Sequence, residues 1–448
     1  MNQGTRERAR EQVIAAIDAT APELLDFLAN YVRQKSVNPG RATAEEPGDT
    51  RAAQEWLRDQ LAGFGCFDEL DLWDGAPDQP NLAAVVHGAG GDARRPLMYN
   101  GHTDTVQVSP EQRAEWLGGD PWSGHIADGK LYGRGSTDMK GGNAAFAWAV
   151  RCLAAAGFRP AADLVVTYSI GEETGEAEIG PLNVLERGYR APLIVNGEPT
   201  NMRVAPATMG WFFFRITIEG KSLHPAARYT AIYPRPENAP PAGVDAVEKA
   251  RKIMDALSHL EHDWALYQHH PVMPPGGMNL CHVSIQGGSY RAEMPPSCEV
   301  VYAVVYNPAL TGDQVLSQIR AVIEGVTQTD SWLREHPPII DYPVIHRVLD
   351  PVNLPLDHEA VTALKRAYRT ALGGEPELGC LSGPCDANIM AGEGETTIIF
   401  GPGDLAYGAH GTSEFVPVEQ VVDACKVYAS LIIDWCGVST SLRSSMLP

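Results

Sequence analysis

Five short segments of the 448-residue chain carry residues able to do chemistry together: GHTDTV (101–106), GRGSTDMKGG (133–142), GEETGE (171–176), NGEPT (196–200) and GPGDLAYGAHGTSEF (401–415). His102 and His410 offer imidazole nitrogen, while Asp138, Glu173 and Glu198 offer carboxylate oxygen. A set without cysteine favours a borderline or hard divalent cation. Five protein ligands exceed what one tetrahedral ion with an open position takes, and they suit two ions sharing a bridging carboxylate. Two divalent ions would balance three carboxylates and one hydroxide, whereas unpaired carboxylates in a semi-buried site are costly. In an extended segment alternate residues share a face, so Asp104 is expected to accept a hydrogen bond from the imidazole nitrogen of His102 that faces away from the ion. Glu172 and Glu173 are adjacent and would point apart in a strand-like segment, leaving one to bind an ion and the other to act as general base. A lone His-x-Asp or Glu-Glu pair is more often a polar loop. The weight lies with the whole set, flanked by glycines and placed after apolar runs.

These residues need strand ends to hold them. Apolar residues at helical spacing over 7–34 predict two amphipathic helices broken near Pro22, and further helices fit 49–63, 140–156 and 417–435. The runs 81–88, 96–104, 162–170 and 191–198 are strand-length and apolar, and alternate with helices, which predicts a mostly parallel sheet covered on both faces. In such sheets ligands gather at the carboxyl ends of the strands. From about residue 208 the pattern changes. Strands with alternating exposure fit 209–220, 278–288 and 298–306, and helices fit 243–258 and 311–325, so a small α+β layer is expected there. The chain is therefore expected to form a catalytic α/β domain from 1–207 and 326–448, interrupted by an insert at 208–325 that contains a Pro-rich loop at 233–241.

Composition narrows the field further. With 35 Lys+Arg against 56 Asp+Glu the net charge is −21, which argues against nucleic acid or an anionic membrane surface as partner. The eight cysteines form no CxxC pair and read as mostly buried thiols of a reducing compartment. The N-terminal stretch lacks an apolar h-region and no run approaches membrane-spanning length, so a cytoplasmic location is expected. GKS at 220–222 resembles the tail of a phosphate loop, but Arg215 stands where that motif needs glycine. No GxGxxG, GxSxG or HExxH occurs.

The five segments, together with the DPW…DGKLYGRGSTDMKGG block and AHGTSEF, resemble the metallohydrolase family of acetylornithine deacetylase, succinyl-diaminopimelate desuccinylase, aminoacylase-1 and carboxypeptidase G, in order and over nearly the whole chain. The resemblance implies a phosphorylase/hydrolase-like three-layer catalytic domain with an inserted ferredoxin-like lid and dimerisation domain. It implies Asp138 as bridging ligand, His102 and Glu198 on one metal, Glu173 and His410 on the other, Glu172 as general base and Asp104 as the orienting group. GKSLHP (220–225) is similar to the lid segment whose histidine reaches the partner's site, making His224 an oxyanion donor. The family's bridging Asp is often followed by a second Asp across a cis peptide; here Met139 follows. The family's carboxylate-clamping positions are also altered, with Met209, Ala292 and Tyr306 in place of the usual Arg, Asn and Arg, and Arg228, Arg235 or Arg291 would have to substitute.

The expected function is therefore amide hydrolysis of a small N-acyl amino acid or related molecule by a homodimer carrying two ions, zinc by resemblance and manganese or cobalt by donor type. The alternatives are release of ammonia or amine from an aromatic or ureido C–N substrate, and a relative that binds metal or ligand without turnover. Keeping every expected ligand and the base argues against the last.

Overall fold

The computed structural model describes residues 3–41, 48–90, 95–228 and 242–440. The first periodic stretch forms two helices, Gln3–Ala19 and Ala21–Arg33, the second opening with Pro22 in its first turn, where a missing N–H costs nothing. Leu24, Phe27, Leu28, Tyr31 and Val32 line the buried face of that helix. Asp49 caps helix Thr50–Phe64 by accepting from the Ala52 N–H, and Gly65 ends it in the left-handed region at φ 62°.

Contacts divide the chain into two compact units, residues 1–207 with 354–381 and 385–448, and residues 208–353 with 382–384. The first is built on an eight-stranded sheet ordered Glu69–Ala76, Gln79–Val86, Leu164–Ser169, Leu97–His102, Ile194–Asn196, Thr397–Ile399, Val204–Thr208, Leu378–Leu381. The four central strands, from Leu164–Ser169 to Thr397–Ile399, are parallel. Strands Gln79–Val86 and Val204–Thr208 flank them antiparallel. Alternate side chains of the central strands serve opposite layers. Leu97, Tyr99 and Val166 share a core with helices Gly141–Ala155 and Val418–Trp435. Met98, Val165 and Ile194 pack instead against Val184, Leu185 and Met390. This is the expected three-layer α/β architecture.

The second unit carries a four-stranded antiparallel sheet ordered Asn279–Gly287, Ser297–Tyr306, Gly210–Glu219, Ile339–Asp341. With helices Ala246–Tyr267 and Gly312–Thr329 the chain order is βαββαβ, the ferredoxin-like arrangement. The expected closure of this insert at 325 falls inside helix Gly312–Thr329, and the unit runs on to Asn353. The reason is that strand Ile339–Asp341 pairs with Gly210–Glu219 through Arg215↔Asp341 and Thr217↔Ile339, so the fourth strand lies beyond the last helix. The Pro-rich loop at 233–241 and Arg235 lie outside the described residues. All eight cysteines are free, five of them buried, with Cys281 exposed. No helix among the described residues is long and apolar enough to cross a membrane.

Candidate metal centre

Four of the five chemical segments follow a parallel strand of the large sheet, and the segment carrying Asp138 follows a strand of a small antiparallel sheet. His102 ends strand Leu97–His102, and Glu198 follows Ile194–Asn196. Glu172 and Glu173 follow Leu164–Ser169 in a short 3-10 turn, Glu172–Thr174, rather than in the strand-like segment expected. Asp138 lies between helix Gly141–Ala155 and strand Lys130–Tyr132, and the Asp138–Met139 peptide is cis. The flanking glycines have a steric reason. A Cβ on Gly101 would come within 2.1 Å of Asn143 Oδ1, and one on Gly197 within 1.9 Å of the Tyr99 hydroxyl.

These ends bring all five expected ligands together as two clusters with Asp138 in common. In one, His102 Nε2 lies 3.0 Å from Asp138 Oδ1 and 3.5 Å from Glu198 Oε1. In the other, His410 Nε2 lies 2.9 Å from Glu173 Oε2 and 3.4 Å from Asp138 Oδ2. Within each cluster the candidate donor atoms lie within 4.8 Å of one another, a spacing that could hold a metal ion. Glu172 sits beside the first cluster, its Oε2 3.9 Å from His102 Nε2. His102 is 1% exposed and His410 55% exposed, so one cluster is deep and the other open.

The electrostatics ask for positive charge. Burial disfavours a charged His102, but the hydrogen bond to Asp138 and the charges of Glu172 and Glu198 outweigh it and raise its pKa well above the ordinary imidazole value. His410 is raised to about 10 by its hydrogen bonds to Asp138 and Glu173. Burial also raises Glu172, reinforced by Glu198, Glu173 and Asp138 and opposed by His102. Burial raises Glu198 in the same way, with Asp138 next in weight. Crowded carboxylates with two imidazoles among them fit divalent cations by donor type and by charge.

Asp104 departs from expectation. The Nδ1 of His102 meets the backbone carbonyl of Asp104 at 3.0 Å, while its carboxylate Oδ1 stands 3.7 Å away. The strand ends at His102, so the alternation that would have aimed the carboxylate at the ring stops there. The Asp104 carboxylate instead accepts from Asn38 Nδ2 at 2.8 Å and from the Glu173 N–H at 3.2 Å, tying the Glu172–Glu173 turn to the end of the His102 strand. His224 belongs to the second unit, where it is exposed and its Nδ1 accepts from the Ala226 N–H at 3.2 Å.

Sequence reading missed the groups beneath these ligands. Glu414 and Arg134 form a buried pair at 2.7 Å. Asp386 Oδ2 accepts from the Ser169 hydroxyl at 2.6 Å and from Asn100 Nδ2 at 3.1 Å, linking the two strands that lead to the Glu172–Glu173 turn and His102. Glu414 lies in the AHGTSEF segment already singled out, four residues beyond His410, and a charged residue so near a ligand was the available signal. Nothing local marks Asp386.

Comparison with known proteins agrees with this geometry. The family model described as Peptidase family M20/M25/M40 matches residues 98–434. The chain is 28% identical over 436 residues to N-formyl-4-amino-5-aminomethyl-2-methylpyrimidine deformylase of Halalkalibacterium halodurans, covering 95% of this chain and 97% of that one. It is 29% identical over 382 residues to acetylornithine deacetylase of Myxococcus xanthus, covering 84% and 90%. Among solved structures, human carnosine dipeptidase 1 superposes with a TM-score of 0.66 at 16% identity, covering 95% of this chain and 98% of that one. The match over most of the chain, on a fold that gathers these donors at its strand ends, shows that the protein belongs to peptidase family M20/M25/M40 and is a metal-dependent hydrolase.

Proposed function

We propose that the chain hydrolyses the amide bond of a small N-acyl compound at a centre of two divalent ions, with Glu172 as general base. The observation that carries this reading is the pair of ligand clusters meeting at Asp138. His102 and Glu198 would hold one ion, Glu173 and His410 the other, and Asp138 would bridge them. Zinc, manganese and cobalt all suit these donors. When bound, the ions would polarise the scissile carbonyl and acidify the attacking water. Glu172 takes the proton from that water as its oxygen bonds to the carbonyl carbon. The same carboxyl then returns the proton to the leaving nitrogen as the C–N bond breaks, giving a carboxylic acid and an amine. Asp104 holds the Glu172–Glu173 turn and, through its backbone carbonyl, the orientation of the His102 ring. His224 is assigned the oxyanion on family resemblance.

A second observation bears on the substrate. Met209 is 1% exposed and Tyr306 0% exposed, and the Tyr306 hydroxyl donates to Asp350 at 2.7 Å, with the Leu349 carbonyl 3.2 Å away. Neither residue, nor Ala292, offers a cation to a substrate carboxylate; of the three arginines that could substitute, Arg228 is paired with Glu248, Arg291 is exposed, and Arg235 lies outside the described residues. This favours an N-acyl amine without a carboxylate over an N-acyl amino acid, and the deformylase relative, whose name describes a formylated aminomethylpyrimidine, points the same way. A panel of N-formyl and N-acetyl amines, matched with and without a carboxylate, tests this. Preference for the carboxylate-bearing members would refute the substrate reading, and ammonia release from a ureido compound would support the other C–N chemistry instead. We also place the protein in the cytoplasm as a homodimer joined through the inserted unit. The edge strand Asn279–Gly287, with Val283 52% and Ile285 47% exposed, supports that association. Sedimentation of the wild type and of Ile285→Lys checks it, a monomer in both cases being the refuting result.

A further inference from the structure

We propose that the buried Arg134–Glu414 pair is a positioning device for the His410 side of the centre, setting the affinity of the second ion without touching it. The inference rests on the two-ion reading above. His102 is packed on every side, so its surroundings hold the ring. His410 is less enclosed, although its own carbonyl accepts from Gln112 Nε2 at 3.0 Å. It is 55% exposed and sits in a loop, with its own backbone in the left-handed region at φ 58°. Its place opposite Asp138 and Glu173 must be imposed by the backbone on either side of it.

The structure shows what imposes it. One carboxylate oxygen of Glu414 accepts from Arg134 Nη1 at 2.7 Å and from the Gly135 N–H at 2.9 Å. The other accepts from the N–H groups of Thr137 and Asp138 at 3.0 and 3.1 Å. The Glu414 carbonyl also accepts from the Gly133 N–H at 2.9 Å. The guanidinium of Arg134 completes the link from the other side, donating through Nη2 to the carbonyl of Gly411, the residue next to His410, at 3.0 Å. Both side chains are 1% exposed. One ion pair therefore grips the segment that carries Asp138 and, in the same act, both flanks of the loop that carries His410. The guanidinium makes one charge-assisted bond to the carboxylate and sends its other Nη to the Gly411 carbonyl, so the two contacts fix geometry as well as adding energy. An ion held by Glu173, Asp138 and His410 depends on that registration directly. An ion held by His102 and Glu198 depends on it only through Asp138. The His410 imidazole is more than half exposed where His102 is buried, so loosening the grip should be felt first by the second ion.

The test is metal titration of Glu414→Gln and Arg134→Lys in buffered free Zn²⁺, with Co²⁺ absorption spectra recorded in parallel and His410→Ala as benchmark. Glutamine keeps the shape but turns an N–H group toward backbone N–H donors. Lysine keeps the charge but cannot reach Glu414 and Gly411 together. Wild type should bind two ions per chain and His410→Ala one. Both clamp variants should keep the first ion and bind the second at least tenfold more weakly, with a changed Co²⁺ spectrum and a cooperative melt. Folded variants that bind both ions as wild type does would overturn the proposal, as would simultaneous loss of both ions. Failure of Arg134→Lys to fold would also count against it, because the pair would then serve the fold and not the ion. A wild type that binds fewer than two ions would sink the two-ion reading instead, a result distinct from any of these.

Discussion

Replacing Glu172 by Gln separates the proposed base from the proposed ligands. Glu172 lies 3.9 Å from His102 Nε2, farther than Asp138 at 3.0 Å and Glu198 at 3.5 Å, and belongs to neither ligand cluster. Glutamine fills the same volume and removes only the ability to accept and return a proton. Positioned acid–base catalysis contributes roughly 10²–10⁴-fold, which at about 1.36 kcal/mol per decade is a barrier increase of about 3–5 kcal/mol. Because the same group acts in both proton transfers, the loss should fall at the upper end and in kcat, with KM little changed. The assay is amine release from a good N-acyl substrate, combined with metal analysis of the same preparation. Two outcomes would refute the reasoning. Unchanged turnover with metal bound removes Glu172 as base. Loss of an ion on substitution makes it a ligand.

Other expectations follow from the same geometry. Exhaustive chelation should abolish turnover, and Zn²⁺, Mn²⁺ or Co²⁺ should restore it; activity surviving chelation, with metal analysis confirming removal, would contradict the metal chemistry. Glu198→Ala should release one ion and leave the other, read as metal content per chain. Tyr306→Phe should cost about 1 kcal/mol of stability through its lost hydrogen bond, measured by denaturant unfolding, and leave KM unchanged, since its hydroxyl is committed to Asp350 and Leu349. Asp330 caps helix Ser331–Glu335 and binds Lys249 at 2.8 Å and Lys252 at 2.7 Å. Asp330→Ala should destabilise the second unit by about 2 kcal/mol, combining a lost cap with lost ion pairs. Burial pushes the Asp330 carboxyl up, but the two lysines outweigh it and hold its pKa well below the ordinary value. Its contribution is therefore complete above the unfolded-state value of about 3.9 and fades as pH falls below it. Wild type should lose this part of its stability in acid, while the alanine variant has none to lose.

What could be read beforehand was whatever has a local cause. Apolar runs of strand length, glycines beside His102 and Glu198, and acidic residues just after those runs follow from how a parallel sheet presents its strand ends, and the structure brings all five expected ligands together there. The start of the second unit at Thr208 was likewise visible, because exposure begins to alternate there. Its end was not. Ile339–Asp341 is three residues long and becomes a strand only by pairing with Gly210–Glu219, a partner more than a hundred residues away. Asp104 escaped for a different reason: its neighbourhood was identified correctly, but the strand stopped two residues sooner than the alternation assumed. Arg134, Glu414 and Asp386 act through hydrogen bonds between distant parts of the chain, and no periodicity records those.

Strands Ile194–Asn196 and Val204–Thr208 are near neighbours along the chain, yet in the sheet they stand one place apart, and Thr397–Ile399 fills the slot between them. That late strand is a keystone. Ile398 and Ile399 are wholly buried, and Ile399 pairs with Asn196 on one side and with Ala205 on the other. A nascent polypeptide must therefore carry the seam beside Glu198 open through the synthesis of some two hundred further residues. A fragment stopping short of Thr397 would be left with a split sheet, whatever metal it is offered.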